Sequence, residues 1–201
     1  MALAAAGADV HRIWHAETEL PRLDLIVLPG GFTYGDYLRC GAIAARAPVM
    51  SEIVRRAAAG VAVLGICNGF QILAEAGLVP GALISNAGLK FVCRPVELEV
   101  VTAASVFTAT YAPGETIRLP VAHHDGNYVC APADLKRLED QDRIALRYLD
   151  NPNGSTAAIA GVLGQGRNVL GIMPHPERAA DPKLSGTDGM RLFRSLIEQL
   201  G

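Results

Sequence analysis

The sequence has no excess of either charge. Its 18 Lys and Arg stand against 20 Asp and Glu, for a formal net charge of -2. With no basic face or polybasic run, it offers no electrostatic footprint for nucleic acid or an anionic membrane surface. Like charges do not gather into a tail either. Four cysteines, Cys40, Cys67, Cys93 and Cys130, make neither a C-x-x-C pair nor zinc-finger spacing. "MALAAAGADVHRIWH" has neither the basic flank nor the apolar core of a secretory signal, so reduced thiols and a cytoplasmic location are expected. No apolar run approaches the ~18–20 residues that span a bilayer. G-x-x-x-x-G-K-[ST] is missing, and "GQGRNV" (164–169) has Arg and Val where a dinucleotide loop wants its last glycine. No cofactor is therefore expected in this chain. Repeats, low-complexity tracts and linkers are lacking too, which predicts one domain over 1–201.

What the chain does have is apolar matter in short, punctuated runs. At 201 residues, 50% hydrophobic, it suffices for one real core. "DLIVLPGG" (24–31), "GVAVLGIC" (60–67) and "GRNVLGIMP" (166–174) are continuously apolar and closed by Gly or Pro. Unbroken apolarity means burial on both faces, as in parallel strands covered by helices. A helix is predicted over 49–59, with Met50, Ile53, Val54 and Ala57 at helical spacing and Gly60 as its stop. Another runs over 69–77 to Gly77. The last, 188–200, carries Met190, Leu192, Phe193, Leu196 and Ile197 on one stripe, with Asp188 as its cap. Between about 89 and 150, "LKFVCRPVELEVV", "ETIRLPVAHH" and "RIALRYL" predict an antiparallel excursion at one side of the sheet. The amino end reads as a helix tail stopped by Gly7, then strand-like "DVHRIWH", as though the sequence opened one βα step late. The expected architecture is an open, mostly parallel α/β sheet sandwiched by helices.

The chemistry concentrates in "GICNG" (65–69). G-x-C-x-G is the thiol counterpart of the nucleophile elbow, a sharp strand-to-helix turn that lifts the reactive side chain out of the sheet. A Cβ at Gly65 or Gly69 would crowd that turn. Cys67 would meet the unpaired N–H groups and positive pole of the following helix, which favour thiolate. The N–H of Asn68 is a natural oxyanion donor, and Gln71 lies one turn on, on the same face. Cys40, Cys93 and Cys130 read as core cysteines.

A thiol nucleophile wants a base, and the base an orienting partner. His175 in "MPHPE" directly follows a buried strand, held between Pro174 and Pro176. The prolines predict an extended, stiff segment in which Glu177, two residues on, shares a side with His175. Neighbouring strand ends would bring this pair to Cys67, at the rim where open α/β sheets hold ligands. "AHHDG" (122–126) invites a metal, but adjacent side chains in extended chain face opposite ways, and no metal site is expected.

"LPGGFTYGDYLRCGAIA" (28–44), "GICNGFQ", "NPNGSTAAIAGVLGQGRNVLGIMPHPER" (151–178), "DGMRLFRSL" (188–196) and, more weakly, "PVAHHDGNY" (120–128) run over essentially the whole chain. With these blocks the sequence resembles the class I, triad-type glutamine amidotransferases, closest to the glutaminase subunits of phosphoribosylformylglycinamidine synthases. The resemblance implies a flavodoxin-like fold, with Cys67 as nucleophile, His175 as base and Glu177 as its orienter. It also implies an oxyanion hole from the backbone amides of Gly31 and Asn68, with Gln71 touching the bound glutamine. Ammonia would pass to a large synthetase subunit that uses ATP and Mg, accompanied by a small accessory subunit. Two departures stand out. His124-Asp125-Gly126 replaces Gly-Glu-Gly, and the family's usual first strand and Pro-Gly loop are not seen at the amino end. "FTYGDYLRCG" (32–41) reads either as a docking or gating element or as a solvated turn. A stand-alone cysteine amide hydrolase or peptidase, and a catalytically silent partner-binding subunit, remain alternative functions.

Overall fold

A computed structural model describes residues 1–35, 39–183 and 186–201 of the chain. Residues 36–38 of the candidate docking or gating element lie outside the described residues.

The sheet is built around two strands apolar from end to end. These are β2 (Ala62–Ile66) and β9 (Val169–Ile172), every residue of which is buried. They run parallel, with Ile66 opposite Ile172, and β1 (Leu25–Leu28) lies parallel on the other side of β2. Beyond β9 the direction alternates through β8 (Ile159–Leu163), β7 (Ile144–Tyr148), β4 (Val92–Val100) and β5 (Thr116–His123), all antiparallel to their neighbours. Among the described residues the order of this seven-stranded sheet is β1-β2-β9-β8-β7-β4-β5. The α/β class stands, but the sheet is mixed, with more antiparallel than parallel pairings. β8 accounts for part of that difference. Its sequence, "IAGVL", is short, apolar and preceded only by a 3-10 turn, so it carries no period of its own. A small second sheet pairs β3 (Ala82–Ile84) with β6 (Asn127–Val129).

Helices cover the sheet. In α2 (Pro48–Ala58), Val49, Met50, Ile53 and Ala57 face inward, whereas Val54 is exposed. Pro48 opens that helix in the first turn, where a missing N–H costs nothing. α3 (Asn68–Glu75) follows β2 directly and buries its first six residues. α4 (Pro132–Asp140) links β6 to β7, and α5 (Asp188–Leu200) packs Leu192, Phe193 and Leu196 into the core. Asp188 is the first helical residue of α5 rather than its cap. Its carboxylate accepts the backbone N–H of Arg118 (2.8 Å), tying the helix to β5.

At the amino end a short helix, α1 (Ala2–Ala5), is followed by Gly7 at φ 104. "DVHRIWH" forms no strand; residues 9–13 and His15 border a largely apolar hollow of ≈ 780 Å³ beside β1 instead. No described strand pairs with them, so alternation alone leaves their backbone groups without a ladder. Two cysteines also differ from the core reading. Cys40 is buried, Cys130 half-buried and Cys93 exposed. Cys93 lies on β4 in a stretch of open positions, so alternation put it outside.

Candidate active site

Cys67 stands between β2 and α3 with φ 51 and ψ -106, a backbone conformation costly for any residue with a Cβ. The turn is held from all sides. The Cys67 N–H donates to the Ile172 carbonyl of β9 (2.7 Å), and its carbonyl accepts the Gln71 N–H (3.1 Å). A Cβ on Gly69 would lie 2.0 Å from the Leu28 carbonyl oxygen, and one on Gly65 2.5 Å from Leu73. The chain can turn this sharply here only because both positions are bare.

Cys67 and His175 are both buried, at 6% and 2% exposure. Both lie against Gly30 in the "LPGG" stretch. A Cβ placed on Gly30 would sit 2.9 Å from His175 Cε1 and 3.6 Å from Cys67 Cβ. His175 Nδ1–H donates to Glu177 Oε1 (2.6 Å), which leaves Nε2 bearing the lone pair. That nitrogen is buried and has no protein partner. The segment is not fully extended as expected: Pro176–Ala179 forms a 3-10 turn, with Pro176 at its first position. The i, i+2 contact between His175 and Glu177 is made all the same.

The curl of the sheet completes the site. β5, its far edge, returns over the ends of β2 and β9: the His175 N–H donates to the Pro120 carbonyl (2.8 Å), and the Ala122 carbonyl lies 3.9 Å from Cys67 Sγ. A pocket of ≈ 10 Å³ remains, walled by Gly31, Phe32, Cys67, Gln71 and residues 122–125. Asn68, first in α3, offers an N–H that no intrahelical carbonyl can accept. Gln71 reaches the pocket with both ends of its amide engaged. It donates to the Asp125 carbonyl (2.8 Å) and accepts from Asn68 (2.8 Å). Asp125 is half-buried, and burial works against its charge, yet hydrogen bonds from Ser85, Cys40 and His124 hold its carboxyl below the usual range.

His123 is the site residue that sequence reasoning passed over, having weighed "AHHDG" only as a metal site. Adjacent side chains do face opposite ways here: His123 turns inward, 2% exposed, while the side chain of His124 is 45% exposed. Burial, and then the nearby His175, push the His123 imidazole down to about 4.

Residues 1–185 match the family described as the CobB/CobQ-like glutamine amidotransferase domain. The chain belongs to the class I glutamine amidotransferases, among the PurQ subunits. It is 58% identical, over 98% of its length and 89% of the relative's, to the phosphoribosylformylglycinamidine synthase subunit PurQ of Cereibacter sphaeroides. To the same subunit of Roseobacter denitrificans it is 55% identical over its whole length and 90% of the relative's. A chain in the structure of PurLQS from Thermotoga maritima shares 46% identity at a TM-score of 0.84, covering 91% of this chain and 82% of that one. Another glutamine amidotransferase of Thermotoga maritima, 18% identical, shares the fold at a TM-score of 0.60 over 90% of this amidotransferase and 81% of that chain.

Proposed function

We propose that this amidotransferase is the glutaminase subunit of a phosphoribosylformylglycinamidine synthase, with Cys67, His175 and Glu177 as its catalytic triad. The observation carrying the triad is the pairing just described: His175 is held by Glu177 with a bare Nε2, and shares Gly30 with Cys67.

His175 Nε2 takes the thiol proton, and Cys67 Sγ attacks the side-chain amide carbon of glutamine. The backbone N–H groups of Gly31 and Asn68 hold the tetrahedral oxyanion. His175 returns its proton to the amide nitrogen, the C–N bond breaks, and ammonia leaves a γ-glutamyl thioester. Water then adds to that carbonyl, the C–S bond breaks, and glutamate departs as the thiol is restored. Glu177 keeps the imidazole in the required tautomer and stabilises its charged form.

Ammonia released into water at neutral pH is protonated and lost as a nucleophile. The reading therefore places this chain beside a large synthetase subunit, which uses ATP and magnesium, and a small accessory subunit. Similarity to the PurQ subunits and to a chain of PurLQS supports those partners.

The test is Cys67→Ala in the reconstituted complex. Glutamine-dependent product formation is expected to fall by at least about 10³-fold while ammonia-dependent formation persists. Glutamate release by that variant at the unaltered rate would assign the nucleophile elsewhere.

A further inference from the structure

The site contains two buried imidazoles, and the triad uses one. The other, on His123, has its tautomer dictated by Asn86. Asn86 Nδ2 donates to the carbonyls of Lys90 (2.8 Å) and His123 (3.0 Å), which turns Oδ1 the other way. Oδ1 accepts the Gly126 N–H (3.0 Å) and lies 3.1 Å from His123 Nδ1. With an acceptor facing it, Nδ1 must carry the proton, and Nε2 is left with a bare lone pair. That nitrogen is buried with no protein partner, as is Nε2 of His175. His123 borders the Cys67 pocket, and the Ala122 carbonyl just before it lies 3.9 Å from the sulfur. The ring lies against Gly126, in space that a Cβ there would need: such an atom would come within 2.3 Å of it.

The two histidines thus keep the same nitrogen bare beside Cys67 but are backed differently. A carboxylate behind His175 can support an imidazolium; a neutral amide behind His123 cannot. His123 stays a neutral acceptor, and an acceptor buried this deeply calls for a donor. The carboxamide of glutamine brings two N–H groups to that point.

We propose that His123 Nε2 accepts a hydrogen bond from the nitrogen of the substrate carboxamide. Held there, the nitrogen of the tetrahedral intermediate turns its own lone pair toward the proton on His175, and leaves as ammonia without being protonated a second time. This rests on the triad reading above, and makes His123 a catalytic residue for amides in particular.

Comparison of glutamine with glutamate γ-methyl ester, whose leaving oxygen carries no N–H, tests it in the reconstituted complex. Asn at position 123 can still donate to Asn86 but is too short to replace Nε2. With His123→Asn, kcat/KM for glutamine is expected to fall about 10- to 100-fold and that for the ester to change little. His123→Gln, whose longer amide oxygen reaches further, is expected to recover part of the glutamine rate. Equal losses on both substrates in both variants would reduce His123 to a structural role. An unaltered ratio of amide to ester activity in both variants overturns the proposal as well. If instead Cys67→Ala still cleaves the ester, the triad reading fails first, and the two failures are told apart.

Discussion

Two hollows border the ends of the parallel strands, and they differ in almost every physical respect. The one at Cys67 measures ≈ 10 Å³, and polar side chains make up much of its wall, among them Gln71 with both ends of its amide bonded within the chain. The one along β1 measures ≈ 780 Å³ and is lined mostly by apolar side chains of β1, α2 and the unpaired segment 8–13. Strand neighbours account for much of this contrast. β2 is paired on both edges and buried throughout, so every atom around the elbow is positioned by something else. Among the described residues β1 has one strand partner, and its other edge faces the hollow. Placement to within a fraction of an ångström comes from being over-determined, and only the first hollow has that property.

Substitutions at the two hollows should therefore differ in cost. The largest effect is expected at Gly69, where an added methyl would run into the backbone of β1. Gly69→Ala should remove about 3 kcal/mol or more of stability, or prevent folding, as read by denaturant unfolding. Phe70→Ala comes next. Phe70 is fully buried, stacked on Tyr128 with ring centroids 5.9 Å apart, and its loss should cost about 3 kcal/mol. Ile53, on the wall of the larger hollow, already borders open space. Ile53→Ala should cost no more than about 2 kcal/mol, and a loss equal to that at Phe70 would break the comparison.

Within the site, Glu177→Gln should slow glutamine turnover about tenfold or more and His175→Ala by a larger factor, since orientation is lost before basicity. Equal losses in steady-state assays would mean that Glu177 does more than orient. The smallest expected effect is on pH dependence. His123 titrates near 6.5 when unfolded and is pushed down to about 4 in the folded chain. Between those values the unfolded state binds the extra proton, so stability falls as pH drops from 6.5 toward 4, then levels for this group. His123→Asn should flatten that slope in unfolding midpoints measured across the range. A slope unaltered by the substitution would mean the imidazole is not held neutral.

Much of the site was legible in the residues alone. The glycines of "GICNG" mark a turn too tight for a Cβ, and the contacts at Gly65 and Gly69 supply the reason. "MPHPE" places a carboxylate two residues from an imidazole, and the 2.6 Å contact follows even though the turn is 3-10 rather than extended. Other features were not legible. "DVHRIWH" alternates like a strand but meets no ladder, because a strand is defined by its neighbour as much as by its own pattern. Val54 keeps helical spacing with Met50 and Ala57, yet sits just past the edge of the buried stripe. The partners of Gln71 were not legible either: its amide is engaged by Asn68 and Asp125 at the pocket wall.

By itself the sequence determined the local chemistry: which thiol is forced into a strained turn, which imidazole is backed by a carboxylate, and which runs are buried on both faces. Those are short-range facts, set by missing Cβ atoms, by proline and by the two-residue period of extended chain. Only the tertiary structure decided that β5, more than 50 residues from the elbow in sequence and at the opposite end of the sheet order, curls back to set Ala122 and His123 against Cys67. Curl accumulates from the twist and pairing of every strand between, and no single segment encodes it.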